Sequence, residues 1–133
     1  METKNLASAI IMREDHCLVV RRKDGEYKDY WEFPGGEITA QASPEEVVVQ
    51  AVKEELGCTV RIRHSFRNIE YDYPSFHLSK KLFICDITEG VIKLKEDEDY
   101  QWITIYQLDH IQWMPAEESI FMFLRNFLTA EMI

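Results

Sequence analysis

The stretch from Trp31 to Cys58, WEFPGGEITAQASPEEVVVQAVKEELGC, constrains the fold more than any other. Trp31–Phe33 can form a brief strand, and Pro34-Gly35-Gly36 stops it, because proline lacks a ladder donor and glycine has no side chain to pack. Ser43 then suits an N-cap, Pro44 the first helical position, and Glu46 completes a capping box. Gly57 is placed to close the helix after Leu56 in a left-handed conformation. Val47, Val48, Val52 and Leu56 form an apolar face at helical spacing. Valine is stiff at χ1 and a mediocre helix former, so this helix depends on packing against something else.

The flanking sequence supplies strands for it to pack on. Ala7–Met12 and Cys17–Arg22 are apolar runs around the polar Arg13–His16 and predict a paired hairpin. Lys23–Tyr30 carries an Asp24-Gly25 turn signal and predicts an exposed loop. After the helix, Thr59–Phe66, Asn68–Tyr73 and Phe76–Ile87 read as strands, with a turn at Pro74-Ser75. Val91–Leu94 is a further segment, Glu96–Asp99 an acidic run, and Tyr100–Ile105 another strand candidate. From Pro115 to about Leu128, a stripe including Ile120, Leu124 and Leu128 predicts a second helix. No repeat or linker breaks the order, and 133 residues suffice for one core. The expectation is a single domain over 1–133, an α/β (α+β) sandwich around a mixed sheet.

Charge and cysteines narrow the partners. A net charge of −9 argues against a nucleic acid polymer, whose affinity comes from clustered Lys and Arg. It leaves a single nucleotide open, because a bound cation reverses the local sign. Cys17, Cys58 and Cys85 have no C-x-x-C spacing, so a reducing cytoplasmic setting is expected. No signal peptide and no apolar run of membrane-spanning length is present, so no membrane partner is expected. A monomer or homodimer are both compatible with the aromatic C-terminal stripe.

The chemistry concentrates on the helix. Glu54 and Glu55 are adjacent carboxylates at i+3 and i+4 from Ala51. Such a pair repels itself unless a cation or base neutralises it, and hard oxygen ligands suit Mg²⁺, with Mn²⁺ possible. Gly35-Gly36 lets backbone approach a phosphate or metal closely. From spacing alone, a solvated acidic helix face is an equally open alternative.

The stretch resembles a Nudix box, G-x5-E-x7-R-E-U-x-E-E-x-G-U with U apolar, through Gly36, Val52, Glu54, Glu55, Gly57 and Cys58. Arg21-Arg22, the YDYP run at Tyr71, Leu94–Glu98 and the WMPA run at Trp113 extend the likeness to the MutT-like or CTP pyrophosphohydrolase-like branch over nearly the whole chain, with a cytidine or an oxidised purine nucleotide as the implied substrate. The resemblance implies a Nudix-type α/β/α sandwich and Mg²⁺-dependent hydrolysis of a nucleoside triphosphate to a monophosphate and pyrophosphate. It implies metal ligands at Gly35, Glu54, Glu55 and Glu96, and catalytic roles for Glu54, Glu55 and Glu98. Phosphate contacts fall to Arg21 or Arg22, of which a strand directs only one to a given face. Base contacts fall to Glu117 at the base edge and Phe33 as a stacking ring, with Tyr73 and Phe76 as alternatives.

The box is degenerate at three positions. Ala42 replaces the first Glu, and Gln50-Ala51 replaces Arg-Glu. The resemblance implies that the residues missing at 42 and 50 brace loop against helix; their joint loss strands no charge. The Glu missing at 51 is, in the family, a metal ligand and in several members the group that activates water. The sequence therefore supports two readings, an impaired hydrolase or a domain that binds a nucleotide without turning it over well.

Overall fold

Every residue from Ala7 to Met12 is buried, which a strand with one wet face cannot achieve. This strand must be covered on both sides, and the architecture follows from it. The computed structural model describes residues 1–93 and 99–133. In chain order the elements are β1 (Glu2–Arg13), β2 (His16–Arg21), β3 (Trp31–Glu32), β4 (Gly35–Glu37), α1 (Pro44–Leu56), β5 (Thr59–Asp72), β6 (Phe76–Glu89), β7 (Tyr100–Ile103), α2 (Pro115–Glu118) and α3 (Phe121–Glu131), with a 3₁₀ turn at Ile105–Gln107.

Among the described residues the strands form one mixed sheet in the order β3-β2-β1-β6-β5, with β4 also on β1 and β7 also on β2. Among the described strand pairs only β1–β6 is parallel, from Glu2 opposite Phe76 to Met12 opposite Asp86. The pleat then sorts β1 between two cores. Ala7, Ala9 and Ile11 meet Val47, Val48, Val52 and Leu56 of α1. Ile10 and Met12 point the other way, into a larger core with Trp113, Ile120, Leu124 and Leu128. The result is the expected α/β/α sandwich around a mixed sheet.

Helix α1 begins and ends as its sequence dictates. The Ser43 hydroxyl accepts from the Glu46 N–H at 3.2 Å while the Glu46 carboxylate accepts from the Ser43 N–H at 3.2 Å. Gly57, at φ 74°, donates its N–H to the Lys53 carbonyl. Both terminal requirements of the helix are thus met within the chain.

Three expectations need correction. Gly35-Gly36 does not simply end a strand; it begins β4, which runs antiparallel to β1 with Gly35 opposite Ser8. Thr59–Phe66 and Asn68–Tyr73 are not separate strands but one long β5, whose register against β6 shifts between Ser65 and Asn68. A bulge absorbs the irregularity without ending the strand. The C-terminal helix is two helices, because the Ser119 hydroxyl donates to the Ala116 carbonyl at 2.6 Å and competes with the helical ladder.

The place of Gly35 makes a sharp prediction. A Cβ there would stand 2.2 Å from the Ala7 carbonyl oxygen and 2.3 Å from Ser8 Oγ. Neither β1 nor β4 can yield without breaking the ladder. Gly35→Ala should lose about 1–3 kcal/mol in urea unfolding through overpacking. A loss below about 0.5 kcal/mol, the usual scatter of surface changes, would show that the strands are not seated this tightly.

Candidate active site

Three hollows share walls and form one cleft. The first, of about 220 Å³, is bordered by Lys23, Asp24, Glu55 and Asp99. The middle one, also about 220 Å³, has Ser8, Gly35, Gly36, Glu55 and Lys80. The outer one, about 500 Å³, has Tyr27, Tyr73, Phe76, Met114, Lys80 and Glu117. Arg22 and Glu32 border all three, so they stand at the junction.

Of the two arginines, the fold brings Arg22 to this junction. Its Nη1 donates to Glu32 at 3.0 Å. Its Nε is buried and has no hydrogen-bond partner among the described residues. A buried donor left unpaired is costly, and an anionic oxygen in the cleft would satisfy it. Arg21 borders only the first hollow and stands at 3.9 Å from Asp29 and 3.6 Å from Asp99, two loose surface pairs.

Helix α1 separates the two carboxylates that the sequence sets side by side. Successive helical residues diverge by about 100°, which is what 3.6 residues per turn requires. Glu55 faces the cleft. Glu54 accepts from Gln50 Nε2 at 3.1 Å and borders a groove between α1 and β5 on the outer face. Glu96 and Glu98 lie outside the described residues. Among the described residues, no group of three His, Cys, Asp or Glu side chains is placed to hold a metal ion.

The degenerate positions are explained by their surroundings. A Cβ on Gly36 would come 3.1 Å from the Ala51 methyl and 3.4 Å from Val47 Cγ1, so the glycine loop lies directly on the helix at residue 51. Ala42 packs against the apolar cluster beneath α1. Gln50 turns to Glu54. The brace implied for a complete box is thus replaced by apolar packing and a neutral donor, and no charge is stranded.

The opposite end of the cleft is built around α2. The Trp31 N–H donates to the Gln112 carbonyl at 2.8 Å, and the Met114 N–H donates to the Trp31 carbonyl at 2.9 Å. These bonds clamp the start of α2 onto β3. The Ala116 N–H donates to the Tyr73 hydroxyl at 3.1 Å, which fixes α2 to the end of β5. Burial pushes the Tyr73 phenol up to about 12, so it stays protonated at neutral pH. Glu117 therefore points inward, where the Lys80 ammonium donates to its Oε1. Both side chains are 2% exposed. Burial pushes the Glu117 carboxyl above its ordinary range, and the adjacent ammonium opposes that rise.

Phe33 borders the middle hollow while packing in the core, 2% exposed with its ring 5.3 Å from Trp113. The rings bordering the outer hollow are Tyr73 and Phe76, stacked at 4.9 Å and 21°, with Tyr27 edge-on to Tyr73 at 5.5 Å. Lys80 was not anticipated. Its signal is the period-two register with Leu78, Leu82 and Ile84, which places a lysine on an otherwise apolar face.

Among the described residues, Glu55 and the Gly35-Gly36 backbone are the donors that the fold sets beside the glycine loop. They fit Mg²⁺, which keeps waters and takes most of its remaining ligands from substrate phosphates.

A mixed sheet between helices, with a glycine loop seated on a capped E-E-x-G helix, defines a Nudix-type hydrolase. The NUDIX domain family matches residues 3–124, and the chain belongs to that family, in its MutT-like branch. It is 29% identical over 122 residues to the 8-oxo-dGTP diphosphatase of Escherichia coli K12, covering 90% of this chain and 95% of that one. The solution structure of the E. coli ORF135 protein superposes with a TM-score of 0.80 at 20% identity, covering 97% of this chain and 91% of that one. A structure from work on MutT of Aliivibrio salmonicida and Vibrio cholerae gives 0.76 at 22% identity, covering 92% and 96%. Nudix hydrolases generally use a divalent metal and act on small nucleotide substrates. Among the described residues no helix is long and apolar enough to cross a membrane.

Proposed function

We propose that this protein hydrolyses a nucleoside triphosphate to a monophosphate and pyrophosphate with Mg²⁺, at a rate impaired by Ala51. One observation carries this reading: a single cleft joins Glu55 and the glycine loop, past the unpaired Arg22 Nε, to an aromatic hollow ending at Glu117. Phosphates belong at the first end and the base at the second.

The chain's own groups divide the work. Arg22 binds phosphate oxygens, and Glu32 fixes its guanidinium from behind. Gly35 and Gly36 keep side chains out of the phosphate path. Glu55, with Glu96 as the resemblance implies, would hold Mg²⁺, which supplies charge neutralisation on the phosphoryl group when bound. Glu98 is the remaining candidate base in the acidic run. Glu54 faces outward and would contribute only after a change of rotamer. Without a positioned base, water attack on the phosphorus is expected to be slower by about 10²–10⁴.

The E. coli relative is an 8-oxo-dGTP diphosphatase, which makes an oxidised guanine nucleotide a natural member of the test panel. Purified protein incubated with Mg²⁺ and a panel of nucleoside triphosphates should release pyrophosphate from at least one. The second reading, a nucleotide-binding domain, is favoured by the missing carboxylate at Ala51. It prevails if a triphosphate raises the melting temperature by mass action while no pyrophosphate appears over hours.

A further inference from the structure

The hairpin that joins β5 to β6 carries two rings of the outer hollow, and its turn is poorly made for holding them. Tyr73 and Phe76 stack at 4.9 Å on either side of a bend at Pro74 and Ser75. Two-residue hairpin turns whose twist matches the strands need a positive φ at one or both central residues. The Pro74 ring fixes its φ near about −65°. Among the described non-glycine residues, positive φ occurs at Glu14 and Asp29, so Ser75 does not have it. A turn of this hand splays the strands that it joins.

The two rings differ in what else holds them. The Tyr73 hydroxyl is tied to the Ala116 N–H at 3.1 Å. Phe76 has no polar atom to tether, and the Lys4 ammonium rests over its ring at 4.3 Å. Its place depends on the backbone of β6, where the next residue is His77.

His77 closes the hairpin end from the other face of the sheet. Its Nδ1 lies 2.6 Å from Asp72 Oδ1 and its Nε2 lies 2.9 Å from Glu70 Oε2. The Ser79 hydroxyl donates to Glu70 Oε1 at 3.0 Å. Carboxylates only accept, so both ring nitrogens donate and the ring is an imidazolium. The hydrogen bonds to Asp72 and then to Glu70 hold its titration above the ordinary 6.5. On this face β1 presents the uncharged Thr3 opposite His77, and the next charged side chain along β6 is Lys81. Glu2 and Lys4 flank Thr3 but border the outer hollow, on the face that carries Phe76. Deprotonation of His77 turns a ring-nitrogen lone pair toward a carboxylate, which breaks one bond and removes the charge attraction from the other.

We propose that His77 is a positioning residue for the ring end of a nucleotide. Its two bonds hold the β5–β6 hairpin closed, and with it Phe76 against Tyr73 at the outer hollow. That role rests on the nucleotide reading of the cleft and adds to it a pH dependence of binding with a defined sign. The clasp is whole below 6.5 and is lost as pH rises through the raised value of the folded protein. Affinity for the nucleoside part should fall in that direction, and affinity for the phosphates should not follow it.

The test is calorimetric titration with Mg²⁺ and α,β-methylene triphosphates of guanosine, adenosine and cytidine, beside inorganic tripolyphosphate, which lacks the ring. Parent and His77→Gln are compared at about pH 6 and about pH 9, on either side of the histidine range. Phosphates titrate in this interval too, so the quantity read is the ratio of the two proteins' dissociation constants at each pH. For the tightest nucleoside compound, His77→Gln should bind about two- to fivefold more weakly at the lower pH, the scale of an exposed ion pair, and equally at the higher. For tripolyphosphate the ratio should stay near one. Asp72→Asn with Glu70→Gln keeps the histidine but removes its partners, and should reproduce the His77→Gln pattern. A ratio that does not change with pH, or a loss shared by tripolyphosphate, overturns the positioning role and spares the hydrolase reading. A parent that binds none of the nucleoside compounds overturns both.

Discussion

Ala51→Glu should raise pyrophosphate release by about 10²–10⁴, the range that a positioned proton acceptor supplies. The geometry favours this gain. Residue 51 lies on the side of α1 that faces the loop, with its methyl where a Gly36 Cβ would be 3.1 Å away. Glu55 follows it by four residues, so the two carboxylates would stand one turn apart on neighbouring parts of the same face. Two carboxylates there would repel, and a divalent cation relieves that repulsion. The gain should therefore come with tighter Mg²⁺ dependence, visible as a lower half-saturating Mg²⁺ concentration. Residue 51 has no such role if the variant folds, binds Mg²⁺ and nucleotide, and is no faster than its parent.

Breaking the Lys80–Glu117 pair from one side should cost far more than removing it entirely. Lys80→Met leaves a carboxylate buried at 2% exposure without its cation and should lose about 3–5 kcal/mol in urea unfolding. Lys80→Met with Glu117→Leu should be neutral or more stable by about 1–4 kcal/mol, because neither charge is then desolvated. The single variant also has a defined pH signature. Burial already holds the folded Glu117 carboxyl above its ordinary value of 4.5, and removing the ammonium raises it further. A carboxyl raised on folding costs nothing while protonated in both states, below the ordinary value. The penalty grows as pH rises through 4.5 and is complete above the folded value. Lys80→Met should accordingly approach its parent in stability toward pH 4 and fall behind at pH 7. An equal loss in the single and double variants would mean that the pair contributes packing rather than charge.

What could be read from residues alone divides along physical lines. Helix α1 was legible to its caps because Ser43, Pro44, Glu46 and Gly57 act through local backbone bonds. The family pattern and the missing carboxylates were likewise visible, since both are matters of spacing. The direction of Glu54 was not, because a helix assigns directions only once its buried face is seated on the sheet. Phe33 shows a related limit: whether an aromatic ring packs on a ligand or on Trp113 is decided by a segment 80 positions away in the chain. Lys80 illustrates the same limit. In sequence it is half of a Lys-Lys pair; period two groups it with Leu78 and Leu82, but only the packed sheet shows what meets its ammonium there.

That register also governs when the cleft can exist during folding. The glycine-loop end of the cleft rests on β1, through Gly35 opposite Ser8, and the Glu117 end depends on Lys80 of β6. These strands pair in parallel, so the chain between them, including the whole of α1, must close as one long loop before the two ends are brought together. Non-local parallel pairing of this kind is slow to form. The hairpin of β5 and β6 and the capped helix can form early from local contacts, but the two ends of the cleft should meet only in this late step.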